Sequence, residues 1–532
     1  MKKILVVQLC RIGDILMTGP LLRGLRREHP SAEISLMVMD AFAATPLPPH
    51  LYDRLLSFPL GGLAGLLAAR DGAWEPALDT LRAFLRGCTH TPFDLVVNLT
   101  HTDMSALVTS LVPARKRVGL VMRADRRRGI DSAWMTHMRA AVRSRDISCF
   151  HLVDMFAWTA GIARDAGGLE IDITPDDHAW AARFIAARED PSRPLIAMQL
   201  GASAESKQWP VERFAALADA LDPALGDVLL IGGPQEGPLA TVFRGVVHRP
   251  VLDSIGSTSL RQLGALLQRC RVLITNDTGP MHVASAVGTP VIDMSSGPVS
   301  AHETGPYGAG HLVIEPETSC YPCPLDSECH HYACRFALTP EDAAAVARFA
   351  MGAGPAPRLT GARLLRARRT AVTGRIEFVP VGSPLTVKDR VRMEAAAVWE
   401  RTLAAPPRVG DGWGDADDAV SPMPADPARM SAIDAHLREV AREADAAAVA
   451  VRGLTNAAPA KVQSLADGVH ATLERLLAIG ESERAVHPLV THLRHEIESV
   501  NASDLAGMAK AQAVAYRATA VRARMLADAL AG

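Results

Sequence analysis

A carboxylate near the start of the chain has the surroundings of a general base. Asp14 stands in QLCRIGDILMTGP, where an apolar run ends, Gly13 permits a tight turn and a helix begins. A carboxylate at the dry mouth of a cleft can take a proton from an attacking hydroxyl. The alternative is that Asp14 only caps its helix. Arg11 could orient this carboxylate or bind an acidic second substrate.

Two further loops carry charged residues that suit a nucleotide. Gly201 opens the Gly/Ala/Ser loop of QLGASAESKQWP, in which Lys207 can meet a diphosphate as a mobile point charge. The alternative is a solvated loop lysine. Glu236 ends the segment IGGPQE, where it could accept hydrogen bonds from a ribose or cap the next helix. This segment has no G-x-G-x-x-G run and therefore lacks the dinucleotide fingerprint.

The segment VLITNDTGPMHVASAVGTP, residues 272–290, predicts a buried strand, a polar corner and a helix that begins at its first proline. Asp277 or Thr278 can cap this helix, and Gly279 lets a bulky anion approach the backbone. The free N–H groups and the helix dipole form an anion site there. His282, one turn inside the helix, faces either the phosphates or the core. This order of elements indicates a phosphate-bearing ligand at the carboxyl edge of a parallel sheet.

Two series of alternating strands and helices must position these residues. In the first, over 1–174, we expect strands at 4–9, 34–39, 94–99 and 117–120 and a helix at 14–28. In the second, over 175–351, we expect helices at 176–188, 211–221 and 260–269 and strands at 195–199, 227–231, 272–275 and 290–294. Such alternation predicts two parallel, doubly wound sheets in successive domains with a cleft between them.

The pattern changes near Met351. Residues 352–428 predict a linker with little regular structure apart from one strand at 375–381, and 406–428 are rich in Pro, Gly and Asp. Residues 429–532 are rich in Ala with helical periodicity, which predicts an extension of three or four helices. This tail is expected to self-associate, to bind a protein partner or to brace the cleft.

The four chemistry-bearing segments, in this order, resemble glycosyltransferase family 9, the ADP-heptose:lipopolysaccharide heptosyltransferases. The matches are RIGD at 11–14, GA with KQWP at 201–202 and 207–210, GGPQE at 232–236 and DTGPMH at 277–282. Each is weak alone, but together they cover residues 1 to about 350 in register. The resemblance implies a GT-B fold, in which an N-terminal acceptor domain and a C-terminal nucleotide-sugar domain, both Rossmann-like, face a common cleft.

The resemblance also implies the roles of individual residues. Asp14 would be the general base, Lys207 would face the donor phosphates, Thr278 and Gly279 would hold the diphosphate, and Glu236 would hold the ribose. The donor side would further include Gly201, Asp277 and His282, and the acceptor side Arg11 and Gly13.

The reaction implied is the transfer of a heptose, or a related sugar, from an ADP-heptose-like donor to a lipopolysaccharide-core-type acceptor, which is lipid-anchored or an oligosaccharide. Family members invert the anomeric centre and use no metal or other cofactor. The residues fit this chemistry, because Lys207 and the helix N-terminus would stabilise the charge that grows on the departing nucleoside diphosphate.

Four of the eight cysteines, Cys320, Cys323, Cys329 and Cys334, cluster within fifteen residues. Their spacing permits a tetrahedral structural zinc site, but the second pair is five residues apart, unlike a two-pair zinc ribbon. Free thiols or a labile disulfide loop are favoured over zinc, and no catalytic role is implied.

The bulk composition restricts the partners and the compartment. The net charge of −2 argues against a general nucleic-acid binder. No apolar run reaches about 18 residues, and Arg11 and Asp14 interrupt the N-terminal one, so neither a membrane span nor a signal peptide is expected. We therefore expect a cytoplasmic protein. Residues 115–145 hold ten Arg or Lys against two acidic residues, which suits a phosphorylated sugar, the anionic face of the inner membrane or only solvent.

Two other functions stay open on the sequence. A GT-B sugar-nucleotide epimerase would need acid and base groups on both faces of the sugar. A non-catalytic GT-B scaffold would act through its helical tail, and the intact Asp14 and Lys207 argue against it.

Overall fold

The computed structural model describes residues 2–69, 73–88, 90–142, 144–163, 167–325, 327–371, 373–403, 427–454, 459–498 and 505–531. It contains two α/β units, each built on a largely parallel sheet, and a helical C-terminal extension. The expected fold class, GT-B with a mainly helical extension, is confirmed.

The N-terminal unit is a six-stranded sheet flanked by helices. Its strands are β1 (Lys3–Gln8), β2 (Glu33–Met39), β3 (Arg54–Phe58), β4 (Phe93–Asn98), β5 (Ala114–Met122) and β6 (Arg128–Ile130). Its helices are α1 (Ile12–Met17), α2 (Gly19–Glu28), α3 (Leu60–Ala68), α4 (Trp74–Cys88), α5 (Asp103–Leu111), α6 (Ala133–Ala141) and α7 (Leu152–Thr159). The strand order is β3-β2-β1-β4-β5-β6, and only β6 runs antiparallel to its neighbour.

Two features of this unit differ from the sequence prediction. The helix expected over 14–28 is divided at Thr18 into α1 and α2, because Pro20 lies in the first turn of α2 and has no N–H to continue a helix through this point. The edge strands β3 and β6 were not predicted, since three to five residues carry too little periodicity.

The C-terminal unit holds the second sheet. Its parallel strands are β7 (Leu195–Gln199), β8 (Asp227–Ile231), β9 (Val251–Asp253), β10 (Cys270–Thr275), β11 (Val291–Met294) and β12 (Leu312–Pro316). Its helices are α8 (Pro175–Ala186), α9 (Val211–Ala220), α10 (Gly237–Val246), α11 (Leu260–Leu267), α12 (Gly279–Ala286), α13 (Ala301–Thr304), α14 (Ala333–Phe336) and α15 (Pro340–Ala350). β7 and β10 are buried at the centre, where apolar parallel strands belong.

The segment expected to be a linker differs most from its prediction. Part of 352–428 forms two strands and a helix, β13 (Ala362–Arg369), β14 (Ile376–Pro380) and α16 (Val387–Thr402). β13 pairs antiparallel with β12 and with β14, so the C-terminal sheet gains two strands. The basic sequence ARLLRARR concealed β13, whose Arg363 is buried because it pairs with carboxylates. The Asp-rich run near Asp415 lies outside the described residues.

The extension contains four helices among the described residues: α17 (Pro427–Leu454), α18 (Pro459–Ser482), α19 (His487–Glu498) and α20 (Leu505–Ala531). α17 and α20 run in opposite directions along each other, since Arg524 contacts Asp445 while Arg438 lies 3.5 Å from Asp528. α19 packs on α6 of the N-terminal unit, and α20 packs on α16. None of the described helices combines the length and apolarity that crossing a bilayer requires.

Candidate active site in the interdomain cleft

A cleft of about 650 Å³ separates the two α/β units and lies at the carboxyl ends of their central strands. Nine of the ten residues proposed from the sequence line it: Arg11, Gly13, Asp14, Lys207, Glu236, Asp277, Thr278, Gly279 and His282. The tenth, Gly201, packs behind Glu236. A volume of this size suits a small-molecule ligand such as a nucleotide.

Asp14 lies in the first turn of α1, on the N-terminal wall of the cleft. One carboxylate oxygen, Oδ2, accepts a hydrogen bond of 3.2 Å from the backbone N–H of Arg11, so Asp14 does support the start of its helix. Burial raises the pKa of Asp14, and Asp277 across the cleft adds to the rise, while the Arg11 hydrogen bond and charge oppose it. A carboxylate that caps with one oxygen and lines the cleft can serve both roles.

Gly13 provides the space in which the two units meet. A Cβ at this position would lie 2.5 Å from Cδ2 of His282, so only glycine lets α1 approach α12 this closely. His282 is buried, and its Nδ1 atom has no hydrogen-bond partner among the described residues. Burial lowers the pKa of His282 to about 4, which keeps the imidazole neutral. The structure thus places His282 on the cleft wall, packed against the turn that carries Asp14.

Lys207 ends a short 3-10 turn, Glu205–Lys207, on the opposite wall. Its Nζ lies 3.8 Å from Oδ1 of Asp277, which is an ion pair but longer than a hydrogen bond. The other carboxylate oxygen of Asp277 accepts a 2.9 Å hydrogen bond from the Thr304 hydroxyl. Thr304 therefore holds Asp277 in place. Asp277 keeps the Lys207 ammonium in the cleft but leaves the N–H donors of that ammonium available.

The helix α12 presents an uncapped N-terminus to the cleft. Thr278 is its N-cap residue but makes no side-chain capping bond, although Thr278 or Asp277 was expected to cap the helix. The Thr278 hydroxyl instead donates to Oε1 of Gln199 at 3.1 Å, and the Asp277 carboxylate is engaged with Lys207 and Thr304. Pro280 has no N–H and the N–H of Met281 donates to the Thr278 carbonyl at 3.1 Å, so the N–H of Gly279, at the first position of the helix, is the one that can bind an anion.

Glu236 joins the loops that follow β7 and β8. Its Oε2 accepts a 2.6 Å hydrogen bond from the Gly233 N–H, and its Oε1 accepts from the Gln199 amide. A Cβ on Gly201 or on Gly232 would collide with the carboxylate, which explains why both loops need glycine. Burial raises the pKa of Glu236, while these hydrogen bonds oppose the rise.

Two residues of the cleft were not singled out from the sequence. Gln199, at the end of β7, accepts from the hydroxyls of Thr275 and Thr278 and donates to Glu236, so its amide connects the donor-side loops. The sequence signal that could have identified Gln199 is a polar residue at the end of an apolar strand. Arg145 is buried on the cleft wall, where its Nη2 lies 2.6 Å from Oε2 of Glu303 in the other unit. Nothing distinguished it from its basic neighbours in sequence.

Three of the clustered cysteines lie on the loop that precedes α14, and Cys334 lies in α14 itself. Cys323 and Cys334 are buried, and the Sγ of Cys334 accepts a 3.4 Å hydrogen bond from the N–H of Gly297. All four thiols are free, and among the described residues no three His, Cys, Asp or Glu side chains are arranged to hold a metal ion. A structural metal at Cys320, Cys323, Cys329 and Cys334 stays a prediction from their spacing.

Comparison with known proteins agrees with this site. The family model for glycosyltransferase family 9 (heptosyltransferase) matches residues 81–331. Lipopolysaccharide heptosyltransferase 3 of Escherichia coli (strain K12) is 26% identical over 298 residues, which cover 53% of this chain and 79% of that protein. Lipopolysaccharide core heptosyltransferase OpsX of Haemophilus influenzae is 22% identical over 302 residues, 55% of this chain and 78% of that protein.

A solved structure shares the fold. The glycosyl transferase family 9 structure from Veillonella parvula DSM 2008 superposes with a TM-score of 0.53 at 22% identity, covering 66% of this chain and 97% of that chain. The resemblance noted on four short motifs is therefore confirmed by the family model and by relatives that match over more than three quarters of their own length. Residues 81–331 of the chain therefore match glycosyltransferase family 9, and the chain is a glycosyltransferase.

Proposed function

We propose that the enzyme transfers a heptose, or a closely related sugar, from an ADP-heptose-like donor to a lipopolysaccharide-core-type acceptor, with inversion and without a metal. The observation that carries this proposal is the composition of the cleft. A carboxylate with a raised pKa lies on the N-terminal wall, and a lysine and an uncapped helix N-terminus lie on the other. The two relatives described above support the acceptor class by their names.

Asp14 is the proposed base. The acceptor hydroxyl enters from the side of the N-terminal unit and loses its proton to the carboxylate as its oxygen attacks C1 of the sugar. A carboxyl pKa raised by burial lies nearer to neutral pH, which makes proton transfer more efficient. Arg11, exposed at the start of α1, and Gly13 would line the acceptor side. Attack from the face opposite the leaving group inverts the anomeric centre.

The leaving nucleoside diphosphate requires stabilisation as the bond to C1 breaks. Lys207 and the N–H groups of Thr278 and Gly279 would supply it, in the position where other enzymes use a divalent cation. Asp277 keeps the lysine in place, and Glu236 would bind the ribose. The carboxylate of Glu236 has about four acceptor sites, and its bonds to Gly233, Gln199 and the backbone of Gly201 use three, so it can still accept from a sugar hydroxyl.

The two α/β units would bind different substrates. Residues 1–174 would receive the acceptor, residues 175–351 would bind the donor, and the extension over 429–532 would brace the first unit. An acceptor of this class is anchored in lipid, so the enzyme would work on the cytoplasmic side in contact with the inner membrane.

The test measures ADP release from ADP-heptose in the presence of truncated lipopolysaccharide core acceptors, with and without EDTA. We expect acceptor-dependent release that EDTA does not change, a product of inverted anomeric configuration by NMR, and strong loss in Asp14→Ala. No release with any nucleotide sugar would overturn the transferase proposal. Interconversion of the donor without acceptor would favour an epimerase, and undiminished turnover in Asp14→Ala would remove the base assignment alone.

A further inference from the structure

The helix α3 is made only of Leu, Gly and Ala, yet none of its residues is buried. Leu67 on this helix is 58% exposed, and Trp74 at the start of α4 is 62% exposed. Leu55 on the adjoining strand β3 is 39% exposed, and residues 55–69 include no charged side chain. An uncharged segment that exposes large apolar side chains in this way marks an interaction site rather than a solvated face.

This apolar surface, formed by α3, Leu55 and Trp74, borders the mouth of the cleft. α3 begins two residues after β3 ends, so it lies at the carboxyl edge of the N-terminal sheet. The N–H of Gly61 donates to Oδ2 of Asp40 at 3.1 Å. Phe42, in the same short turn as Asp40, lines the cleft. The surface is therefore fixed next to the proposed acceptor side.

A basic hairpin lies at the same edge of the sheet, on the other side of the cleft mouth. It joins β5 to β6, and residues 123–128 hold four Arg against one acidic residue. Arg126 and Arg127 are exposed. Asp125 pairs with Arg127 and Asp103 pairs with Arg128, and these two pairs leave the hairpin with a net positive charge.

The sheet order sets the distance between these two surfaces. β3 and β5 are four inter-strand steps apart in the order β3-β2-β1-β4-β5, which is about 19 Å. Asp14 follows β1, between them. A partner that contacts both surfaces must be flat. It must be apolar where it meets α3 and anionic where it meets the basic hairpin. A bilayer containing anionic lipid has these properties, since leucines and tryptophan partition into its interface and cations bind its headgroups.

We propose that the N-terminal unit docks on an anionic lipid surface through α3, Trp74 and the β5–β6 hairpin, so that the mouth of the cleft lies at the bilayer. This inference rests on the proposed function in one respect: docking would bring the enzyme to a lipid-anchored acceptor. Vesicle binding is measured without donor or acceptor, so its failure and a failure of the transferase proposal are distinguishable.

The experiment follows flotation of the full chain with vesicles of phosphatidylethanolamine and phosphatidylglycerol, or of phosphatidylcholine alone. We expect binding to the anionic vesicles that weakens with salt. Leu67→Gln with Trp74→Gln should lower the partition coefficient about tenfold or more by removing apolar contact. Arg126→Ala with Arg127→Ala should lower it about 30-fold on anionic vesicles only. The matched control, Val514→Gln with Val521→Gln, changes two exposed apolar side chains of α20 and should bind as the unmodified chain does.

Three results would overturn the proposal: no vesicle binding by the unmodified chain, unchanged binding by the Leu67/Trp74 variant, or equal losses in the control. Light scattering tests whether a second copy of the chain occupies the surface instead. If the unmodified chain is a dimer, the Leu67/Trp74 variant is a monomer and vesicle binding is unchanged, the surface serves self-association. Hydrogen exchange of residues 60–69 in the unmodified protein provides a test without substitution. Slower exchange on anionic vesicles supports docking, and unchanged exchange contradicts it.

Discussion

The cleft and the junction between the C-terminal sheet and α16 both bury charged side chains, but they treat them differently. At the junction, Arg363 donates to Oε2 of Glu315 at 2.7 Å and to Oδ2 of Asp389 at 2.6 Å, and Arg392 donates to the other Asp389 oxygen at 2.9 Å. In the cleft, Lys207 lies 3.8 Å from the Asp277 carboxylate oxygen it pairs with.

The pKa directions follow the same contrast. Burial alone would raise the pKa of Asp389, but Arg363 and Arg392 hold it well below its ordinary value. For Asp14 burial prevails and the pKa is raised, because only backbone hydrogen bonds from Arg11 and Asp14 and the charge of Arg11 oppose it. Complete pairing stabilises a fold, whereas incomplete pairing leaves a group able to exchange a proton or bind an ion. The two regions should therefore respond oppositely to substitution.

The largest expected effect is on turnover in Asp14→Asn. The amide keeps the shape and can still accept from the Arg11 N–H but cannot take a proton, so kcat should fall about 10²- to 10⁴-fold. A carboxyl whose pKa is higher in the folded state destabilises that state once it ionises. The Tm at pH 7 should thus stay the same or rise. ADP release and thermal unfolding measure the two responses.

The matched control for Asp14 is Asp528→Asn, in which the carboxylate is 71% exposed on α20. It should leave both turnover and Tm unchanged. A marked drop in Tm for Asp14→Asn would mean that the carboxylate is mainly structural, and the contrast with the junction would not hold. The pH profile of kcat/KM provides a further test. As the pH decreases, kcat/KM should begin to fall at a pH above the pKa of an ordinary aspartate, because the pKa of Asp14 is raised.

Arg363→Met should produce the opposite pattern. It leaves Glu315 and Asp389 buried without their shared cation, which costs about 3–5 kcal/mol of unfolding free energy. Turnover per folded molecule should be nearly unchanged, because Arg363 does not line the cleft. Denaturant unfolding with activity corrected for the folded fraction measures both. Arg438→Met, at a pair with Asp434 that is largely exposed, is the control and should cost less than about 1 kcal/mol.

Lys207→Met tests the donor side of the cleft. Losing the cation that faces the growing diphosphate charge should lower kcat by about 10²- to 10³-fold with little loss of stability. Lys207→Arg should recover part of the rate, since it restores the charge with a different geometry. Steady-state kinetics with varied donor separates kcat from KM. A change in KM alone would mean that Lys207 binds donor and transition state equally.

The same contrast explains how far the sequence could predict the structure. Asp14, Lys207 and the 272–290 corner could be placed at one cleft from the sequence because each follows a strand whose apolar run is continuous. The caps of α12 were predicted wrongly, because Thr278 and Asp277 bind Gln199 and Thr304, which are distant in sequence. Rules based on local sequence favour a side-chain cap at this position. Hydrogen bonds to residues distant in sequence determine whether the cap forms.

β13 shows the converse difficulty. Its arginines suggest a solvated or linker segment, and only the pairing of Arg363 with Glu315 and Asp389 makes a buried strand of that composition stable. Those partners lie 48 and 26 residues away, outside any window in which periodicity can be read. Long-range pairing of charges is invisible to local patterns, and for the same reason Arg145 could not be told from its basic neighbours.

The smallest predicted effect concerns a part of the extension where pairing is incomplete. His137 of α6 is buried against Trp399 of α16, with ring centroids 4.4 Å apart, and faces His492 of α19 and Arg522 of α20. His492 in turn has Glu496 at 3.1 Å, so one acidic group lies near three basic ones. Burial lowers the pKa of His137 well below its ordinary value, with His492 and Arg522 adding to the effect.

Because the folded state binds this proton less readily than the unfolded state does, stability is constant above about pH 7 and falls as the pH drops below about 6.5. The loss is at most about 1.4 kcal/mol per pH unit for each histidine. His137→Phe should therefore reduce the difference in unfolding free energy between pH 7.5 and 5.5, whereas His248→Gln, at a side chain 91% exposed, should preserve it. If His137→Phe keeps the full pH dependence, the acid sensitivity lies elsewhere. The contact between the extension and the N-terminal unit would then resemble the junction rather than the cleft.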